Sequence, residues 1–342
     1  MRRLHVSLDI KTNVIEPRRQ TYSHVARRLG SDKPASRYQE GTWDLQATEH
    51  FHYRPTWAPD RELYDTSLTA IEMQDWYAFN DPRQFYYGTY TMARNKMMET
   101  EEANFKFVEK RGLLDQVDPA WVNKVKHYLL PLRHFEWGGN MNGCHASDRA
   151  YGTAVSQTLL FAAMDRLGIA QIISRIGLLI DGNSGESLDE ARSDWLEHGN
   201  WQPLRQMVED TFVLDDWFEQ AVAQYFCMDS VIFPLVYDHF DREGARHNGA
   251  AMSMLSEFMI DWFADECRWV DQLLKVTASE SAGNAELLGS WVENWTVRTI
   301  DALRPLAADV LGDGADAVLE EIDANIQARA AKAGIKAQGA GK

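Results

Sequence analysis

The chain is poor in cysteine, has no long uninterrupted apolar run and shows no strand-like alternation, and each shortage removes a class of protein. Its three cysteines, Cys144, Cys227 and Cys267, form no C-x-x-C pair among 342 residues. That spacing argues against a disulfide framework. Because all three fall in helix-like stretches, they read as reduced, buried thiols of a cytosolic protein. The most apolar stretch, Ala154 to Ile180, is interrupted by Asp165, Arg166 and Arg175, which makes it too polar to span a bilayer. The opening Met-Arg-Arg-Leu-His-Val lacks the apolar core of a secretion signal, so a cytoplasmic location is expected. No phosphate loop, dinucleotide fingerprint or nucleophile triad occurs. No run combines period-two alternation with turn chemistry, which predicts an all-α protein.

What is present is aromatic and acidic. The composition is 45% hydrophobic and 25% charged, with 12 Trp, 12 Tyr and 14 Phe, as in a globular chain with a large aromatic core. Net charge is −16, unevenly spread: residues 1–37 hold nine Arg or Lys against three acids, leaving about −22 on the rest. So negative a body would be repelled by phosphate, which argues against nucleic acid as the partner of the basic segment. A basic arm lying across an acidic partner subunit fits the charges. Residues 1–60 intersperse Tyr22, Tyr38, Trp43, Phe51, Tyr53 and Trp57 with Pro17, Pro34, Pro55 and Pro59. This predicts an extended interaction arm, followed by a helical domain over 61–330 and a flexible tail over 331–342.

Within the helical region, Asp81-Pro82 and Asp118-Pro119 offer an N-cap followed by proline at the first helical position. Phe85, Tyr86, Tyr90, Ala93 and Met97 then share one helix face. The stretch from Ala146 to Leu179 is apolar nearly all round, as expected of a helix at the centre of a bundle. Asp181-Gly-Asn-Ser-Gly185 ends it. Further helices are predicted over Leu188–Glu197, Pro203–Thr211, Asp215–His239, Ala250–Val276, Leu287–Val310 and Asp316–Ala331.

Two local patterns suggest metals and are outweighed. Glu49-His50-Phe51-His52 contains a Glu-x-x-His, but it lies beside Arg54-Pro55 in the irregular arm, and a single copy cannot build a two-metal site. Asp215-Asp216-Trp217-Phe218-Glu219 matches a magnesium-diphosphate motif of terpene cyclases. No second magnesium motif follows, and the acids suit a helix N-terminus. A metal-dependent α-helical enzyme, either a divergent ferritin-like oxidase or a cyclase-like protein, is the alternative reading of the chain.

A repeated frame carries the main reading. Asp165-Arg166-Leu167-Gly168-Ile169 and Asp265-Glu266-Cys267-Arg268-Trp269 stand one hundred residues apart. Both resemble the Asp-Glu-x-Arg-His motif that bacterial multicomponent di-iron monooxygenases carry twice in their catalytic subunit. In that family each Glu and the His three residues later bind iron, with a lone Glu from each of two further helices. Here Arg166 stands at the first Glu position, Ile169 and Trp269 stand at the two His positions, and only Glu266 keeps its type. Glu136 stands at the spacing of the first lone Glu. The equivalent on the third helix is not placed beyond a region near Ile232 to Asp241. Losing both imidazoles and gaining a guanidinium leaves a pocket that repels a divalent metal. Glu136, Arg166, Ile169, Glu266 and Trp269 are therefore expected to be vestigial metal-site positions, with no metal or catalytic residue in this chain. Arg166, facing Glu136, Asp165 and Glu266, would occupy the space the metals left.

Tyr53-Arg54-Pro55-Thr56-Trp57, Arg61-Glu62-Leu63-Tyr64-Asp65, Asp75-Trp76-Tyr77 and Asp81-Pro82-Arg83-Gln84-Phe85-Tyr86-Tyr87-Gly88-Thr89-Tyr90 resemble the β subunit of phenol hydroxylases and toluene monooxygenases. The resemblance implies a ferritin-like helical bundle with extra helices and a non-catalytic role supporting a di-iron α subunit that converts phenols to catechols. It also implies α and γ partners in a dimer of αβγ trimers, an effector protein, and a reductase carrying FAD and [2Fe-2S] and using NADH. Tyr53, Arg54, Trp57, Trp76, Tyr86 and Tyr87 are the expected interface residues. The choice of aromatic substrate would belong to α.

Overall fold

The computed structural model describes residues 21–335, and among them there are helices and turns but no strand. Short helices α1 (Ser23–Leu29) and α2 (Arg37–Glu40) come first, followed by the long α3 (Tyr87–Arg111). Then come α4 (Pro119–Tyr128), α5 (Leu132–Arg149), α6 (Thr153–Ile180), α7 (Glu186–Glu197) and α8 (Gln202–Thr211). The next rod is built from α9 (Trp217–Ala221), α10 (Asp229–Pro234) and α11 (Asp241–Gly244). Between them, Val222–Met228 and Leu235–Phe240 are π-helical, so the rod continues without a loop. Finally, α12 (Ala250–Leu255), α13 (Glu257–Glu280), α14 (Ala282–Leu311) and α15 (Ala315–Lys332) complete the chain. Helices α5, α6 and α13 and the π-interrupted rod surround a common centre, with α14 packed on the rod, α13 and α15.

Local chemistry sets the boundaries. Asp118 caps α4 as expected, accepting from the Ala120 N–H, with Pro119 at the first position. Asp81-Pro82 does not start a helix. The buried Asp81 carboxylate is taken by the backbone N–H and guanidinium of Arg83, at 2.8 Å each, and Gln84 turns the chain at positive φ. Helix α3 begins only at Tyr87. The apolar stretch expected as one helix from Ala146 is two, because the chain reverses at Gly152, where φ is +87°. A Cβ there would lie 3.2 Å from the Trp76 Cβ. The helix expected over Ala250–Val276 is likewise broken, at Ser256 between α12 and α13.

Two expectations about exposure change. Helix α6 is not enclosed all round: it buries one side and leaves Leu160, Met164 and Leu167 exposed. Cys227 is buried, but Cys144 is exposed on α5. Of the arm expected over 1–60, residues 1–20 lie outside the described residues. The part from 21 to 47 is fastened to the body by Arg28 on Asp75, Trp43 on Asn80, and Gln46 on the backbone of Ala150 and Gly152. At the other end α15 runs to Lys332 and Ile335 is buried, so the start of the expected tail is packed; residues 336–342 lie outside the described residues.

Candidate functional site

One charged side chain from each of four helices meets at the centre of the bundle. Glu136 comes from α5, Arg166 from α6, Asp229 from α10 and Glu266 from α13, all buried. The Arg166 guanidinium bonds Glu136 at 3.0 Å, pairs closely with Asp229 and lies 3.5 Å from Glu266. Glycine on α5 makes room for it. A Cβ on Gly139 would press on Arg166 Nε at 3.1 Å, and one on Gly143 would collide with the Tyr225 hydroxyl at 2.3 Å. Aromatic faces close the cage, with the guanidinium 4.6 Å from the Trp262 ring centre and 5.4 Å from that of Tyr225. Ile169 and Trp269 are also buried, and the Trp269 ring meets Tyr225 edge-on.

Three carboxyls surround one cation, and burial favours the protonated form of each. Burial pushes the Glu136 carboxyl up to about 7, against the pull of Arg166. Burial and the neighbouring Asp229 raise the Glu266 carboxyl well above the ordinary carboxylate range, against the pull of Arg166. Burial raises Asp229 as well, against the pull of the Arg166 guanidinium with which it pairs, and Asp229 also accepts from the Gln224 amide at 3.1 Å. Gln224 in turn accepts from Asn142, which donates to Thr211 as well.

Asp165 does not join this centre. It turns to a second network, accepting from the Tyr90 hydroxyl at 2.9 Å, the Trp262 indole N–H at 2.8 Å and the Arg94 guanidinium. Arg94 also reaches Asp265 at 3.0 Å, so the first residues of both repeated frames share one arginine.

The residues present do not suit a di-iron centre. The donors nearest the centre are three carboxyls without an imidazole, and a guanidinium already fills the space between them. Among the described residues no group of three or more His, Cys, Asp and Glu is placed to hold a metal. The other two patterns resolve similarly. Glu49, His50 and His52 are exposed, and His50 sits at positive φ. Asp216 caps α9 through the N–H groups of Phe218 and Glu219 and also binds the Ala70 N–H, while Glu219 accepts from the Trp295 indole.

Of the expected interface residues, Tyr53, Arg54, Trp57 and Tyr87 are exposed and Tyr86 is half-buried. Trp76 is not on the surface: it packs in the core against Trp217, Phe218 and Tyr151. The sequence reading missed Asp229, Gln224 and Arg94. Asp229 lies just before the region searched for the third helix. It follows the π-helical segment, where an added residue per turn breaks the spacing that points ligands inward.

Comparison with known proteins places this architecture. A model of the methane/phenol/alkene hydroxylase family matches residues 54–281. The oxygenase component DmpL of phenol 2-monooxygenase from Pseudomonas sp. strain CF600 is 44% identical over 97% of this chain and 99% of its own length. The β subunit of the hydroxylase component of the toluene-4-monooxygenase system of Ectopseudomonas mendocina is 22% identical over 70% of this chain and 72% of its own. A crystal structure of xenon-pressurised phenol hydroxylase from Pseudomonas sp. OX1 superposes with a TM-score of 0.90 at 45% identity, covering 97% of this chain and all of that one.

Proposed function

Because the chain belongs to the methane, phenol and alkene hydroxylase family, we propose that it is the non-catalytic β subunit of a multicomponent phenol hydroxylase. The observation that carries this reading is Arg166. A cation bonded to the carboxyls of Glu136 and Asp229 stands where an enzyme of this family would need its metals. The centre holds four helices together by charge compensation and offers no open coordination position. In this role the chain supports a larger α subunit bearing the di-iron site, which uses O₂ to convert a phenol to a catechol. Electrons would come from NADH through a reductase with FAD and [2Fe-2S], with a γ subunit completing a dimer of αβγ trimers and an effector protein assisting. The assembly would work in the cytoplasm. In domain terms, an N-terminal arm over residues 1–60 would reach across the assembly, and 61–330 would form the supporting bundle with a short flexible tail.

Iron content of the chain purified alone, and of the chain co-purified with the larger subunit, tests this. Iron is expected only in the complex, in proportion to the larger subunit. About two irons per isolated chain, with oxygen-dependent turnover, would overturn the reading.

A further inference from the structure

Helices α3 and α13 pack against each other, and between them runs a groove of about 430 Å³. Glu257, Asp261 and Asp265 line it from successive turns of α13, and Glu101 lines it from α3. Asp265 is already paired with Arg94 and Arg268. Glu101, Glu257 and Asp261 have no ion-pair partner among the described residues. Lys96, which also lines the groove, is exposed and pairs with none of them.

Glu101 adds an independent observation. The residue is only 3% exposed, yet its Oε1 atom has no hydrogen-bond partner. Its carboxyl accepts from the Phe258 N–H at the start of α13, a favourable place for an acid, but that bond leaves Oε1 unmet. Burial raises the carboxyl to about 7, with Glu257 adding to the rise and the Phe258 N–H and Arg175 opposing it. A buried carboxyl with an unmet oxygen is costly, and a cation seated in the groove would meet it.

The arrangement of the acids selects the kind of cation. They do not converge on one point: among the described residues no group of three or more His, Cys, Asp and Glu is placed to hold a metal. Instead, Glu257 and Asp261 stand four residues apart on α13, about 6 Å along its axis. Two ammonium groups joined by about four methylenes span a similar distance. Met97 and Phe258, which also line the groove, suit the methylenes between them. A single ammonium would meet only part of this row.

We propose that the groove between α3 and α13 is a binding site for a linear aliphatic diamine or polyamine, with one ammonium held by Glu101 and Glu257 and the next by Asp261. The site does not depend on the scaffold reading above.

Calorimetric titration of the full chain with putrescine, spermidine and, separately, magnesium chloride tests this in about 0.15 M salt, where diffuse attraction to an acidic surface is screened. The variants are Glu101→Gln, whose amide oxygen still accepts from the Phe258 N–H, and Asp261→Asn at an exposed position, with Glu320→Gln on the exposed side of α15 as a control. One saturable amine site per chain is expected, at least tenfold weaker in each groove variant and unchanged in the control. Thermal unfolding of each variant shows whether it is folded, and Asp261→Asn carries the test if Glu101→Gln is not. Titration without saturation, or saturable binding that the folded groove variants leave unchanged, would reduce the effect to attraction by a net charge of −16 and overturn the site. Magnesium binding as tightly as spermidine, and weakened by the same variants, would assign the groove to a metal and overturn the proposal as well.

Discussion

Helices α6 and α13 carry the same five-residue frame and have diverged in opposite directions on their two sides. Inward, the frame still works as one device: Asp165 and Asp265 both hold Arg94, Arg166 and Glu266 meet at the centre, and Ile169 and Trp269 fill the adjoining core. Outward, α6 is uncharged from Thr153 to Ser174, whereas α13 exposes Glu257, Asp261, Arg268 and Lys275. The difference teaches that a repeated frame can keep one inward geometry while its outer faces differ. Opposite charges link the helices at the centre, and the outer faces carry no part of that link.

The largest effect should come from breaking the inner equivalence. Arg166→Met removes the cation and leaves Glu136, Asp229 and Glu266 buried without it, which should cost about 3–5 kcal/mol of stability. Glu266→Gln should cost about 1 kcal/mol or less, because burial and Asp229 already favour the neutral form of Glu266, which an amide matches in shape and charge. Denaturant unfolding of both variants at pH 7 measures the asymmetry; equal losses would mean that Glu266 is ionised. The pH dependence has a definite sign. Glu136 has its pKa raised to about 7 in the folded chain, so the stability it contributes is fully present below about 4.5, the ordinary value, and is lost as pH rises through 7. The deficit of Arg166→Met should therefore shrink as pH falls from 8 to 5, as its carboxyls take up protons.

A smaller difference should separate the two aspartates that share Arg94. Asp165 is enclosed and accepts from Tyr90, Arg94 and Trp262, whereas the side chain of Asp265 is 27% exposed and has Arg268 as a second, surface partner. Asp165→Asn should cost about 2–3 kcal/mol, since it weakens several bonds inside the core. Asp265→Asn should cost under about 1 kcal/mol, as is usual for a surface pair. Thermal unfolding of the two single variants and the double variant also tests their coupling through Arg94: losses that simply add would show that the shared arginine does not link them.

How much of this the sequence disclosed follows from which contacts are periodic. The helices themselves, the cap at Asp118, and the alignment of Glu136, Arg166 and Glu266 rest on spacings that survive in the folded chain. Asp81-Pro82 carried the same start signal as Asp118-Pro119. It failed because Arg83 captures the capping carboxylate. Asp229 was hidden because its neighbours are π-helical, and Asp165 was assigned to the wrong network because Arg94 lies 71 residues away on α3, beyond any local pattern. The exposure of α6 was misread for a related reason. An apolar helix buried by its own chain and one awaiting a partner have the same composition, and only tertiary structure distinguishes them.

That last ambiguity sets the smallest prediction, at the one position where the two frames differ most on the outside. Gly168 on α6 corresponds to Arg268 on α13, which is exposed and lies 3.5 Å from Asp265. If the free chain alone decided the residue, alanine would serve better at 168, because it removes glycine's entropic penalty and meets no neighbour. Gly168→Ala should therefore stabilise the isolated chain by about 0.5–1 kcal/mol, while Arg268→Ala should change it by less than about 0.5 kcal/mol. Unfolding of the isolated chain measures both. A stability gain from Gly168→Ala would mean that packing within the chain does not require glycine there. A loss would instead trace the glycine to a constraint within α6.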